Sequence, residues 1–100
     1  MGTPRRQNLP WFELKPLPLH ILRPSRDLIE IYKESIGQGV PMTPILVTSD
    51  TDFNWGYIIV NGEHVYRAAR ELGIETIPCR VEGLESALVE RRLRLKQLVS

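Results

Sequence analysis

Cysteine is nearly absent: Cys79 stands alone, so an internal disulfide is excluded. No apolar run approaches the roughly 20 residues that a membrane-crossing helix needs. No secretory leader is visible either, and the expectation is a reducing, cytoplasmic setting without a membrane partner. Internal repeats and low-complexity tracts are missing, and the net charge is only +1. What remains is 100 residues, 42% hydrophobic and 25% charged, enough for one small globular core. A second domain of normal size does not fit.

The small net charge conceals an uneven distribution. Residues 1–26 carry Arg5, Arg6, Lys15, Arg23 and Arg26 against Glu13, and residues 84–100 carry Arg91, Arg92, Arg94 and Lys96 against Glu85 and Glu90. The stretch between them is acidic. Basic ends suit nucleic-acid phosphates, and equally suit the acidic middle of the same chain or of a second copy.

Residues 1–10, with two prolines, Arg5-Arg6 and almost nothing apolar, read as a mobile arm, leaving 11–100 as the folded domain. Leu17, Leu19 and Ile21 alternate as in a strand at a sheet margin. Ser25 suits a helix cap before Ile29, Tyr32 and Ile36, with Gly37 or Gly39 as the stop. Residues 44–48 and 57–60 read as two strands around a polar hairpin loop. Val65, Ala68, Ala69 and Leu72 define one face of the next helix, which Gly73 ends. Residues 76–81 form a further strand, where Pro78 favours an edge or a strand start. Leu84, Leu88, Leu95 and Leu98 stripe a final basic amphipathic helix from about residue 84. The predicted order is β-α-β-β-α-β-α, a mixed α/β domain.

Function is sought at the strand–glycine–helix junction of residues 57–73. A helix begins with backbone N–H groups that lack an internal partner, and the peptide dipoles put partial positive charge there. Phosphate suits such a place, and a glycine lets a ligand approach the backbone. Gly62 opens the turn, and Glu63, His64 and Arg67 occupy the start of the helix. Arg23 and Arg26 stand at the exit of the first predicted strand. Each residue also has a plain reading: Glu63 is favourable against the dipole without a ligand, and His64 fits a half-buried surface position.

Several short segments in fixed order carry a resemblance. They are Leu17-Pro18-Leu19 with Arg23-Pro24, Ser35-Ile36 with Gly39, Pro44 to Val47, Gly62-Glu63 with Tyr66-Arg67-Ala68-Ala69, Leu72-Gly73, and Ile77 to Val81. Together they resemble the ParB/sulfiredoxin superfamily, in particular the ParB N-terminal domain, also known as the ParB-like nuclease domain. The resemblance implies a phosphate or nucleotide site at Gly62, Glu63, His64 and Arg67, helped by Arg23 and Arg26. The cofactor stays unassigned, with a nucleotide and Mg²⁺ as the candidate. ParB proteins carry a Gly-Glu-Arg-Arg box at this turn, whereas Val65 stands here where an arginine is expected, and Asn61 where relatives often have aspartate. A missing guanidinium removes charge-assisted hydrogen bonds of roughly 1.5 to 3 kcal/mol each.

Enzyme readings are weighed against this binding reading. Sulfiredoxins place a reactive cysteine where Glu63 stands, and a strand cysteine such as Cys79 is usually a small buried hydrophobe. A kinase of this superfamily would need Asp27 or Glu30 as a substitute base. A nuclease would need clustered carboxylates or histidines, for which Glu63, His64, Asp50 and Asp52 are the material. No metal site is assigned. The leading expectation is a nucleic-acid- or nucleotide-binding domain lacking its own helix-turn-helix, with a small nucleotide-dependent enzyme as the alternative. Arg91, Arg92, Arg94 and Lys96 are the candidate nucleic-acid contacts, and the final helix is the candidate surface for a homodimer or partner protein.

Overall fold

The computed structural model describes residues 5–16, 25–49 and 56–99. The elements are β1 (Arg5–Pro10), a 3-10 turn (Trp11–Glu13), β2 (Leu14–Pro16), α1 (Arg26–Gly37), β3 (Ile45–Ser49), β4 (Tyr57–Asn61), α2 (Glu63–Glu71), β5 (Thr76–Val81) and α3 (Leu84–Val99). Five strands form one mixed sheet in the order β1-β5-β3-β4-β2. β1 runs antiparallel to β5 and β3 antiparallel to β4, while β5 with β3 and β4 with β2 are parallel. No described helix is long and apolar enough to cross a membrane.

The apolar run at β3 explains its central place, because Ile45, Leu46, Val47 and Thr48 are all buried and a strand covered on both faces needs no alternation. Ile45 and Val47 join Leu9, Leu14, Ile59, Ile77 and Cys79 on one face, against Val65 and Ala69 of α2. Leu46 and Val60 point the other way, against Ala87 of α3. The sheet therefore lies between the α1–α2 pair and α3.

Three expectations need correction. Arg5–Pro10 is a paired edge strand rather than a mobile arm, in register from Arg5↔Val81 to Pro10↔Thr76. Its polar composition misleads because an edge strand needs few apolar side chains, and among Arg6–Pro10 only Leu9 is deeply buried, at 6% exposure. One more strand thus precedes α1 than the sequence predicts. Pro78 sits in an internal strand. Trp11 N–H donates to the Glu75 carbonyl at 3.0 Å, so by alternation Pro78 presents its nitrogen toward β3. The parallel ladder there starts only at Ile45↔Cys79, and the missing N–H falls outside it. On α3, Ala87 makes the buried contact, whereas Leu84 and Leu88 are exposed.

Other local readings hold. Ser25 caps α1, its Oγ accepting from Leu28 N–H at 3.4 Å. Val65, Ala68 and Ala69 face inward on α2, and Gly73 ends the turn with φ +76°, although Leu72 lies beyond the helix and is exposed. The strand reading at residues 17–22 and the tip of the β3–β4 hairpin lie outside the described residues.

Candidate functional site

Strand β4 delivers Asn61 to the edge of α2, and Gly62 makes the turn with φ +105°. A Cβ here would stand 2.6 Å from Ile45 Cγ2. The bare Cα therefore serves packing against β3 as well as the backbone conformation, a reason for glycine that needs no ligand. The first bond of the helix is Tyr66 N–H to Gly62 C=O at 3.0 Å, and no side chain caps the turn. The N–H groups of Glu63, His64 and Val65 thus precede the helical ladder, at the positive end of its dipole.

Around this turn the predicted residues separate. His64 Nε2 accepts the N–H of Ser25 at 2.9 Å, so the ring ties the start of α2 to the start of α1. With Nε2 occupied, the ring's remaining donor is Nδ1. Arg67 lies one turn on, its Nη2 3.5 Å from Glu63 Oε1, both side chains partly open to solvent. Glu63, His64 and Arg67 are therefore grouped at one helix end.

Arg26 is not grouped with them. Its guanidinium grips both oxygens of Glu71, at 2.6 and 2.5 Å, and also pairs with Glu30. Glu71 ends α2, eight residues after Glu63 and so about 12 Å along the axis. Lys33 Nζ reaches Glu71 as well, at 3.2 Å. The hydrogen bonds from Arg26 and then Lys33 hold the Glu71 carboxyl down at about 2, and those to Glu71 and Glu30 raise Arg26. Arg26 is thus an α1–α2 clamp. Arg23 lies outside the described residues.

Two features were not anticipated. A cleft of about 130 Å³ lies between α1 and α2, lined by Tyr32, Ile36, Val40, Met42 and Val65 among others. Its signal in the sequence is the apolar Val40-Pro41-Met42 segment, together with Val65 in place of an arginine. Near the other end of α2, Arg70 stacks 3.4 Å over the Trp11 ring, a cation–π contact between residues far apart in sequence.

The basic residues of α3 are differently disposed. Arg91 is half-buried, while Arg92, Arg94 and Lys96 are exposed. Arg94 Nε lies 3.6 Å from Glu90, which also pairs with Arg80 of β5 and so fastens α3 to the sheet. Cys79 is 1% exposed, and burial pushes its thiol up to about 11, the behaviour of a packed hydrophobe rather than a nucleophile.

Known proteins place this geometry. The sequence pattern of the ParB N-terminal domain matches residues 8–97. No curated protein is significantly similar in sequence. Among solved structures, the C-terminally truncated chromosome-partitioning protein ParB from Caulobacter crescentus, complexed with CTP-gamma-S, is 29% identical at a TM-score of 0.78, over 93% of this chain and 53% of that one. The same ParB complexed to the centromeric parS site is 30% identical at a TM-score of 0.68, over 85% of this chain and 43% of that one. The chain thus spans about half the length of those relatives. Sulfiredoxin from Arabidopsis thaliana, at 22% identity and a TM-score of 0.68, covers 88% of this chain and 97% of its own, and shares the fold. With the mixed sheet, the Gly62 turn and this match along nearly the whole length, the chain belongs to the ParB N-terminal domain family.

Proposed function

We propose that the chain is a cytoplasmic binding module that holds a phosphate-bearing ligand, a nucleotide or nucleic acid, at the amino end of α2. The observation that carries this reading is the uncapped turn at Gly62, which leaves three N–H groups ahead of the helical ladder, with Arg67 one turn on and 3.5 Å from Glu63. Support comes from the Caulobacter crescentus ParB structures complexed with CTP-gamma-S and with parS. Arg67 supplies the cation, His64 offers Nδ1 as a further donor, and Arg23 is its candidate neighbour. Val65 gives an apolar wall where an arginine would add a second charge, so nucleotide affinity rests on the amides and on Arg67.

Arg91, Arg92, Arg94 and Lys96 are the residues we assign to DNA phosphates. Such contacts are independent of sequence and salt-dependent, the slope of log affinity against log salt being about −0.9 per phosphate neutralised. Exposed Val89 and Leu93 on the same helix also make α3 a contact surface for a protein partner or a second copy.

Thermal shift with CTP, ATP and short duplex DNA at low and high salt tests the reading. A ligand at a hundredfold its Kd stabilises by about 2.7 kcal/mol and raises the melting temperature. Nucleotide shifts should persist in salt, and DNA shifts should fade. Arg67→Glu with Arg23→Glu should abolish nucleotide binding and leave the unliganded melting temperature nearly unchanged. Unaltered nucleotide affinity in that double variant removes the pocket.

A further inference from the structure

The sheet keeps one long open edge. At one margin β2 is three residues long and closes on Pro16, whereas β1 at the other is six residues long and pairs with β5 alone. Trp11 N–H turns toward β5, so by alternation Gln7 and Leu9 direct their N–H and C=O groups to β5, and Arg6 and Asn8 direct theirs outward. Both Arg6 and Asn8 are exposed. Pro10 offers the same edge a carbonyl and no N–H.

A cation without a counter-charge lies on this edge. Arg6 stands opposite Arg80 in the strand pair, where like charges repel. The carboxylates of Glu82 and Glu90 both go to Arg80, and Arg6 has no ion pair among the described residues. β1 itself holds two arginines and no acid. We propose that the outer edge of β1 receives an extended acidic segment of a partner protein, which adds a further strand and sets a carboxylate beside Arg6.

A second copy is the poorer occupant. Two β1 strands paired antiparallel about Asn8 meet the missing N–H of Pro10 at both ends. Pairing about Arg6, or parallel in register, sets arginine beside arginine. An incoming acidic strand meets the proline once at most and turns the arginine from a repulsion into an attraction. Leu9 faces the α1–α2 side of the sheet and Arg6, by alternation, the α3 side. The segment that fits therefore alternates apolar residues with acids, its main chain supplying affinity and its side chains selectivity. The inference is independent of any ligand at α2 and of any contact made by α3.

A short peptide alternating valine with glutamate tests it, followed by amide hydrogen exchange resolved by NMR. Bound peptide should slow exchange at Arg6 and Asn8 about tenfold or more, and leave Gln7 and Leu9, already bonded to β5, unchanged. A peptide with lysine in place of glutamate should bind about threefold to tenfold more weakly, and Arg6→Glu should reverse that preference. Asn8→Pro removes an outward N–H and no bond to β5, so it should keep its circular dichroism spectrum and weaken the peptide about tenfold or more. If that variant does not fold, the parent decides the same point: methylating one alternate set of peptide nitrogens should abolish binding, and methylating the other set should spare it. No change at Arg6 and Asn8 with peptide in the millimolar range, or equal binding of the two peptides, overturns the proposal. Exchange at Arg6 and Asn8 that slows with protein concentration alone overturns it too, because the occupant is then a second copy.

Discussion

At Gly62, backbone angle and packing make the same demand. The left-handed conformation at φ +105° costs a residue with a side chain about 1 to 2 kcal/mol, and a methyl group driven toward Ile45 adds overpacking. Gly62→Ala should therefore lower stability by about 2 to 4 kcal/mol in urea unfolding, even with no ligand present; a change under 1 kcal/mol would mean that the turn relaxes freely. The glycine was legible from its place between an apolar strand and an amphipathic helix. Its contact with Ile45 was not, because the two meet only when β3 and β4 pair. The same distinction holds for His64. Its position in the first turn is local, whereas the Ser25 N–H that it accepts lies 39 residues away.

Between elements, ion pairs do what the apolar stripes do not. α1 and α2 are tied by Arg26 and Lys33 to Glu71 in addition to their buried residues. The Glu71 carboxyl titrates at about 2 in the folded chain, against 4.5 ordinarily. A depressed folded value stabilises above the unfolded one and is lost as pH falls through the folded one. Parent stability should thus fall more steeply between about pH 4.5 and 2 than that of Glu71→Gln, measured by thermal unfolding across the range. Identical acid limbs would show that the exposed clamp contributes nothing, and added salt should narrow the difference. Helical spacing made α1 and α2 legible, since an inward face leaves a period in the sequence. β1 left none, because an edge strand with one deeply buried leucine has the composition of a tail. On α3 the start of the leucine stripe pointed to the wrong contact: close approach to the sheet favoured the small Ala87, and Leu84 and Leu88 stayed outside.

Across the whole molecule, the sheet joins segments from both ends of the described chain. Ile77 and Cys79 are 0% and 1% exposed with Leu9 packed in the same cluster. Deleting residues 1–10 should cost more than the about 2 to 5 kcal/mol of truncating one buried leucine, and the melting temperature should fall accordingly. A deletion variant as stable as the parent would return those residues to the status of an arm. The pairing of Arg5–Pro10 with Thr76–Val81 also has a consequence for synthesis. A ribosome makes the first strand long before its partner exists, and β5 cannot join β3 any earlier. Until β5 emerges, β3 is an open edge whose backbone N–H and C=O groups on that side lack their sheet partner, so the nascent chain offers a strand-pairing template that the finished fold closes.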